Sequence, residues 1–338
     1  MSEPAPQAVA TSMPVETLLN MARGYRASQA IAVAAELGLA DLMVDGPRTV
    51  DDLAAASRTH APSLLRLLRA LASVGVFAET GEGRFGMTPL AEPLRSDAPR
   101  SVRPMARFMV SPVLYESWGQ LAHSIRTGEP AFNQAFGVGM YEFLAQHPAD
   151  AEIFNAGMAG MARHQAVLDA YDFGGARVIV DVGGGSGRLI AAILSAHSDM
   201  RGILYDLPEV VVEAGERLQQ EGLAARCDIV GGSFLDSVPA GGDLYLLSDV
   251  LHNWDDVHAA LILSNCRKAI SEDGRLVVIQ RVLDSGGQQV YGRFADLNML
   301  VLLGGHERTA DEFRALLTTT GFTVSRIVST RDPYSVIE

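Results

Sequence analysis

Two cysteines in 338 residues, Cys227 and Cys266, are too few for a disulfide framework and match no metal-ligand spacing. The expectation is a reducing, cytoplasmic setting and no bound metal. Lysine is scarcer still: of 27 basic residues only Lys268 is one, against 40 acids and a net charge of −13. So acidic a surface argues against a polyanion such as nucleic acid as a partner. No apolar run is long enough to cross a bilayer and no signal-peptide pattern opens the chain, so no membrane partner is expected. Residues 1–14, MSEPAPQAVATSMP, are small and Pro-rich and are expected to be disordered.

What is present divides into segments of different rhythm. Hydrophobic residues make up 48% of the chain, enough for sizeable cores in one large or two medium domains. From residue 15 to 104 the periodicity is helical with short breaks. SLLRLLRALASVGVF places Leu64, Leu65, Leu68, Leu71 and Ala72 on one helical face, and Gly75 is a plausible stop. VFAETGEGRFGMT then predicts a hairpin turning at Gly81–Gly83. Helices followed by a hairpin suggest a winged helix, but nine arginines against ten acids over 15–100 leave no basic footprint for DNA. The long apolar face of YRASQAIAVAAELGLADLM is instead expected to pack against a second copy.

Residues 105–170 are rich in bulky apolar groups, among them Phe108, Met109, Trp118, Phe154, Met158 and Met161. Methionine and aromatic residues at helical spacing ordinarily form core. Between two domains they can also wall a pocket for a planar apolar substrate. Over 171–338, β-rich runs (RVIVDV, GILYDL, CDIV, DLYLLSDV, RLVVIQRVL) alternate with helical stretches, the pattern of a doubly wound parallel sheet in an α/β domain. Ligands of such sheets lie at the carboxyl ends of the strands.

The run DVGGGSG at the first strand end is bare backbone. A dinucleotide fingerprint needs a third glycine where Arg188 stands, and a P-loop needs the Gly-Lys-Ser/Thr that does not follow. What is left is Gly183, Gly185 and Gly187 after Asp181, a tight turn beneath a ligand without pyrophosphate. Asp206, ending the second strand 19 residues past Gly187, has the placement to accept both hydroxyls of a ribose; its alternative is a cap before Pro208. Loop and acid together point to a nucleoside ligand.

With Asp206-Leu207-Pro208, GGSFLDSVP and LHNWDD in the same order, the chain resembles the S-adenosylmethionine-dependent O-methyltransferases of small-molecule biosynthesis, over nearly its whole length from residue 15. The resemblance implies a Rossmann-like, seven-stranded catalytic domain and a mostly α, winged-helix dimerisation domain. It also implies a homodimer, a small-molecule substrate held between the domains, and S-adenosylmethionine converted to S-adenosylhomocysteine. It places Asp181, Gly183, Gly185, Gly187, Asp206 and Leu207 at the cofactor. Ser233 and Phe234 fall where the family commonly has an acid and an aromatic or Met gripping adenine, and Ser248 falls where relatives often carry Lys or Arg. Asn298, Met299 and Leu302 join Phe108, Met109, Trp118, Phe154, Met158 and Met161 as substrate-binding residues.

His252 matches the family's general base, normally flanked by two acids. Glu307 is one; where the other belongs stands Gln280, an amide able to orient an imidazole but not to stabilise imidazolium as an anion does. Thr309 and Glu312 form a capping-box pattern that leaves Glu307 free for this role. Asp255 and Asp256 read as helix-capping and dipole-compensating charges. The expected reaction is methyl transfer to a phenolic or enolic oxygen. The alternative is a same-fold enzyme that keeps the cofactor but catalyses hydroxylation, decarboxylation or pericyclic rearrangement.

Overall fold

The structure is a computed structural model and describes residues 14–81, 83–160, 164–284, 286 and 289–338. The disorder expected at the N-terminus thus lies outside the described residues, except that Pro14 already opens a helix, Pro14–Ala22. The chain forms two compact units, Met1–Tyr115 with His147–Met161, and Glu116–Gln146 with Ala162–Glu338. The segment 105–170 is therefore divided between the units rather than forming a block of its own.

In the first unit, strands β1 (Arg48–Thr49), β2 (Phe77–Gly81) and β3 (Arg84–Met87) form an antiparallel sheet in the order β1-β3-β2, with the predicted hairpin between β2 and β3. Leu64, Leu68 and Leu71 are the buried positions of the helix Ala61–Ser73, and Gly75 follows it with φ +79°. They pack with Leu39, Met43, Leu53, Phe77 and Phe85 in one core. That core corrects one expectation. Ala34, Ala35, Leu39, Ala40 and Met43, the heart of the apolar face in 25–43, are covered by the unit's own helices rather than left for a second copy. The apolar surface that stays exposed lies mostly before it, at Val15, Leu18, Leu19 and Met21, with Tyr25 and Val33 from the segment itself.

The second unit is built on strands β4 (Val178–Val182), β5 (Arg201–Asp206), β6 (Cys227–Gly231), β7 (Leu244–Ser248), β8 (Arg275–Leu283), β9 (Arg308–Thr309), β10 (Ile327–Ser329) and β11 (Tyr334–Ile337). Seven lie in the path β10-β11-β8-β7-β4-β5-β6, and two-residue β9 pairs with β8 beside it, one strand more than the resemblance implied. Pairing is parallel from β8 to β6; β11 runs antiparallel to β8, and β10 to β11. Alternate residues face opposite sides of the sheet. Leu244 and Leu246 of β7 enter one core with Ile190, Leu194 and Leu204, and Tyr245 and Leu247 enter the other with Ile262, Leu263 and Phe313. Both faces are thus covered, which is why these strands read as continuous apolar runs. From β4 the chain winds toward β6 on one side, and from β7 toward β8 on the other. The carboxyl ends of β4 and β7 flank this reversal, where a crevice opens in folds of this type.

Candidate active site

Gly183, Gly185 and Gly187 all adopt left-handed backbone, with φ of +74°, +56° and +74°, so the sequence puts glycine where a side chain would be strained. The turn is fixed by its own main chain: Gly183 and Gly184 N–H both donate to the Tyr205 carbonyl, at 2.8 and 3.3 Å. A Cβ at Gly183 would stand 2.7 Å from Val250 Cγ2 and 3.4 Å from Phe234 Cε1, so the loop touches the segments after β7 and β6. A Cβ at Gly185 would meet nothing within 4 Å, which leaves open space against the loop.

Beside that space is Asp206. Its Oδ2 accepts from Gly185 N at 2.8 Å and its Oδ1 from Leu207 N at 2.7 Å, so the carboxylate is locked to the loop with lone pairs to spare. Burial raises its pKa, and the two backbone donors hold it back. Asp181, 1% exposed, has no hydrogen-bond partner for either carboxylate oxygen among the described residues. Burial, reinforced by Asp206, pushes it up to about 7. Two buried, under-compensated acids beside a glycine cradle suit an occupant that is both a nucleoside and a cation.

Phe234 is held by Asn265, a buried amide of the helix Asp256–Ala269 whose Nδ2 donates to the carbonyls of Phe234 and Leu235, each at 3.0 Å. Its ring meets that of Trp254 edge-on, centroids 5.9 Å apart. The Ser233 hydroxyl already accepts from Leu235 N at 3.3 Å, closing a local turn. Ser248 is the last residue of β7, in register with Ile279.

Past β7, Leu251–Asn253 form one turn of 3₁₀ helix that carries His252. Its Nδ1 lies 3.1 Å from Glu307 Oε1, with the imidazole 14% and the carboxylate 4% exposed. A carboxylate only accepts, so Nδ1 carries the proton and Nε2 is left as the basic nitrogen. Burial lowers the His252 pKa, but the Glu307 hydrogen bond and charge, with the charge of Asp249, outweigh it and the net direction is upward.

Gln280 plays a different part from the one expected: its Oε1 accepts from the main-chain N–H of His252 at 3.2 Å, not from the ring, and its Nε2 is buried without a partner among the described residues. It braces the turn rather than the imidazole. As expected, Asp255 caps the following helix through His258 N at 2.8 Å, and Thr309 with Glu312 completes a capping box.

Three residues that sequence reasoning passed over complete this end. Gly305 lies so close under the turn that a Cβ would stand 2.0 Å from the His252 carbonyl oxygen. Arg308, fully buried, donates to the carbonyls of Leu251 at 2.9 Å and Trp254 at 3.0 Å and to Asp256 at 2.8 Å, pinning the turn to the Glu307 segment. Asp249 follows β7 at φ +54° with a carboxyl raised by burial. The GGHERT string held a signal for the first two, glycine and arginine flanking the acid; Asp249 gave none. A fourth, Tyr141 on the helix Met140–Gln146, accepts from Asn253 Nδ2 at 3.1 Å.

The expected substrate residues separate by unit. In the first, Phe108 and Phe154 pack edge to face with centroids 5.4 Å apart, and Met109 and Met158 are exposed. In the second, Trp118 Nε1 donates to Asn298 Oδ1 at 2.9 Å, Met299 is half-buried and Leu302 buried. Met161 lies outside the described residues.

An O-methyltransferase domain model matches residues 118–323, and an O-methyltransferase dimerisation domain model matches residues 19–97. The chain is 45% identical over 323 residues to a phenazine O-methyltransferase of Lysobacter antibioticus, covering 95% of this chain and 94% of that protein. It is 41% identical over 324 residues to a mitomycin biosynthesis 6-O-methyltransferase of Streptomyces lavendulae, covering 95% and 93%. Among solved structures, an O-methyltransferase from neocarzinostatin biosynthesis in complex with S-adenosylmethionine and 2-hydroxy-5-methyl naphthoic acid is similar with a TM-score of 0.82 at 36% identity, covering 97% of this chain and 98% of that one.

Proposed function

Because the chain belongs to the O-methyltransferase family, with both its catalytic and its dimerisation domains, we propose that it methylates a phenolic or enolic hydroxyl of a small aromatic natural product, with His252 as general base. The observation that carries this reading is the buried His252–Glu307 pair at the switch point of the sheet. When bound, S-adenosylmethionine supplies a methyl group made transferable by its sulfonium. Gly183, Gly185 and Gly187 give the backbone room to lie against it. Asp206, fixed by the Gly185 and Leu207 amides, receives the ribose hydroxyls, and Phe234 offers a face to the adenine. Asp206 would offer a sulfonium negative charge, and a bound cation would in turn favour ionisation of Asp181, which burial and Asp206 push up to about 7.

His252 Nε2 would take the proton of the acceptor hydroxyl, while Nδ1–H stays hydrogen-bonded to Glu307. An unperturbed phenol stands roughly 3.5 pKa units above a free imidazole, about 5 kcal/mol, so proton removal concerted with attack is cheaper than prior deprotonation. Glu307 narrows that gap by favouring the imidazolium. Gln280 and Arg308 keep the turn, and so the ring, in place. The exposed apolar residues of Pro14–Ala22, a helix that runs into the matched dimerisation segment, support a homodimer.

The test is methyl transfer from S-adenosylmethionine to a panel of hydroxyphenazines and hydroxynaphthoic acids, the ring classes named for the relatives. A product heavier by about 14 daltons, with one S-adenosylhomocysteine per turnover, is expected. His252→Ala should lower turnover by about 10² or more. Product of unchanged mass with cofactor unconsumed would overturn methyl transfer, and full activity of the variant would remove His252 from the chemistry.

A further inference from the structure

Gln280 leaves the base with one flanking acid where its family has two, and that acid is shared: Arg281 Nε lies 3.7 Å from Glu307 Oε1. The guanidinium offsets part of that carboxylate's pull, which leaves a buried imidazole less charge to favour its protonation than two flanking acids would supply. A further anion stands at the start of the same turn, three residues before His252. Asp249 holds left-handed backbone, one of two non-glycine residues with positive φ among the described residues, a strain that aspartate tolerates better than most. Its main chain is fixed at both ends, N–H to the Ile279 carbonyl at 3.0 Å and carbonyl from Asn253 Nδ2 at 3.2 Å. The carboxylate is bonded to the Tyr334 hydroxyl, and its Oδ1 is buried without a hydrogen-bond partner among the described residues. Tyr334 stands opposite Arg281 in the β8–β11 ladder, and the guanidinium lies 5.9 Å from the Tyr334 ring centroid and 4.8 Å from that of Tyr291. The groups around His252 include Asp249 after β7, Gln280 and Arg281 on β8, Tyr334 on β11, Glu307 before β9, and Tyr141, which accepts from Asn253 of the same turn. Asp296 of the helix Val290–Leu302 holds Glu307 N at 2.9 Å.

Building on His252 as the base, we propose that Asp249 is a positioning residue that supplies the second negative charge Gln280 lacks. With Arg281 offsetting part of Glu307, Asp249 adds a second negative charge to those the ring feels. Its effect on the imidazole is to raise basicity, in the same sense as Glu307 and against burial and Arg281.

The test is the pH profile of kcat/KM, which rises as the free base loses its proton. Asp249→Asn should move the midpoint of that rise to lower pH and reduce plateau kcat about tenfold, with KM for S-adenosylmethionine within about twofold. Asp249→Gly, which accepts the same backbone, should reproduce the shift if the amide variant folds poorly. Adding Gln280→Glu to either should return the midpoint upward and recover kcat, and in a His252→Ala background Asp249→Asn should change nothing further. A folded Asp249 variant whose midpoint does not move, or whose loss Gln280→Glu leaves unrepaired, would overturn the inference and leave the base reading standing. Full activity of His252→Ala would defeat the base reading itself.

Discussion

Two strand ends meet at the reversal of the sheet, and they are built in opposite ways. After β4, the glycine loop is shaped by its own backbone: left-handed glycines, amides on the Tyr205 carbonyl, and one carboxylate from the neighbouring strand. After β7, the histidine turn is shaped by side chains and close approaches from residues about 30 to 85 positions away: Gln280, Gly305, Glu307, Arg308 and Tyr334. A loop that shapes itself can bind the same ligand in many relatives. A turn that borrows its bearings can be retuned by any of the lenders without disturbing the first site. Binding of the cofactor and removal of the acceptor proton are therefore expected to respond to separate substitutions.

The largest test of that separation is Gly305→Ala. A Cβ 2.0 Å from the His252 oxygen forces the turn and the Glu307 segment apart, and displacing a base by about an ångström costs about 10² in rate. Turnover should fall at least that far while S-adenosylhomocysteine binding, measured by calorimetry, stays within about threefold; a parallel loss of binding would show that the two ends are one. The converse is Asp206→Asn. Loss of a charged acceptor on the loop amides and ribose costs about 1.5–3 kcal/mol, so the dissociation constant should rise 10- to 100-fold with saturated kcat little changed. The smallest effect marks the boundary of the site. Thr309→Ala removes a cap from the last long helix and should cost about 1 kcal/mol in thermal or denaturant unfolding, with kcat/KM within about twofold.

How far each end could be read from the sequence follows from the same contrast. The glycine loop and Asp206 were legible because left-handed backbone demands glycine, and a ribose acid must end the adjacent strand. The capping box and the helix beginning at Asp256 were legible for similar reasons, being local chemistry over three or four residues. His252 and Glu307 were found only through a family pattern, since nothing in LHNWDD states that residue 307 lies beside it. Gln280 was given a bond to the ring because sequence cannot separate a side chain's contact with an imidazole from contact with its amide nitrogen. Arg308 reads as one more arginine until the fold buries it, and Asp249 as a polar residue at a strand end. The apolar face of residues 25–43 misled because periodicity shows that a face is covered, not by what.

The four positions from Gly305 to Arg308 carry three independent duties: a contact that admits no side chain, the carboxylate on Nδ1, and the guanidinium that ties two carbonyls of the opposite turn. Each is anchored to a fixed point outside the segment, so their spacing along the chain is itself a constraint. One residue inserted or deleted here would put all three out of step at once, however conservative its chemistry. Variation among chains of this design is therefore expected as substitution, never as insertion, between residues 305 and 308.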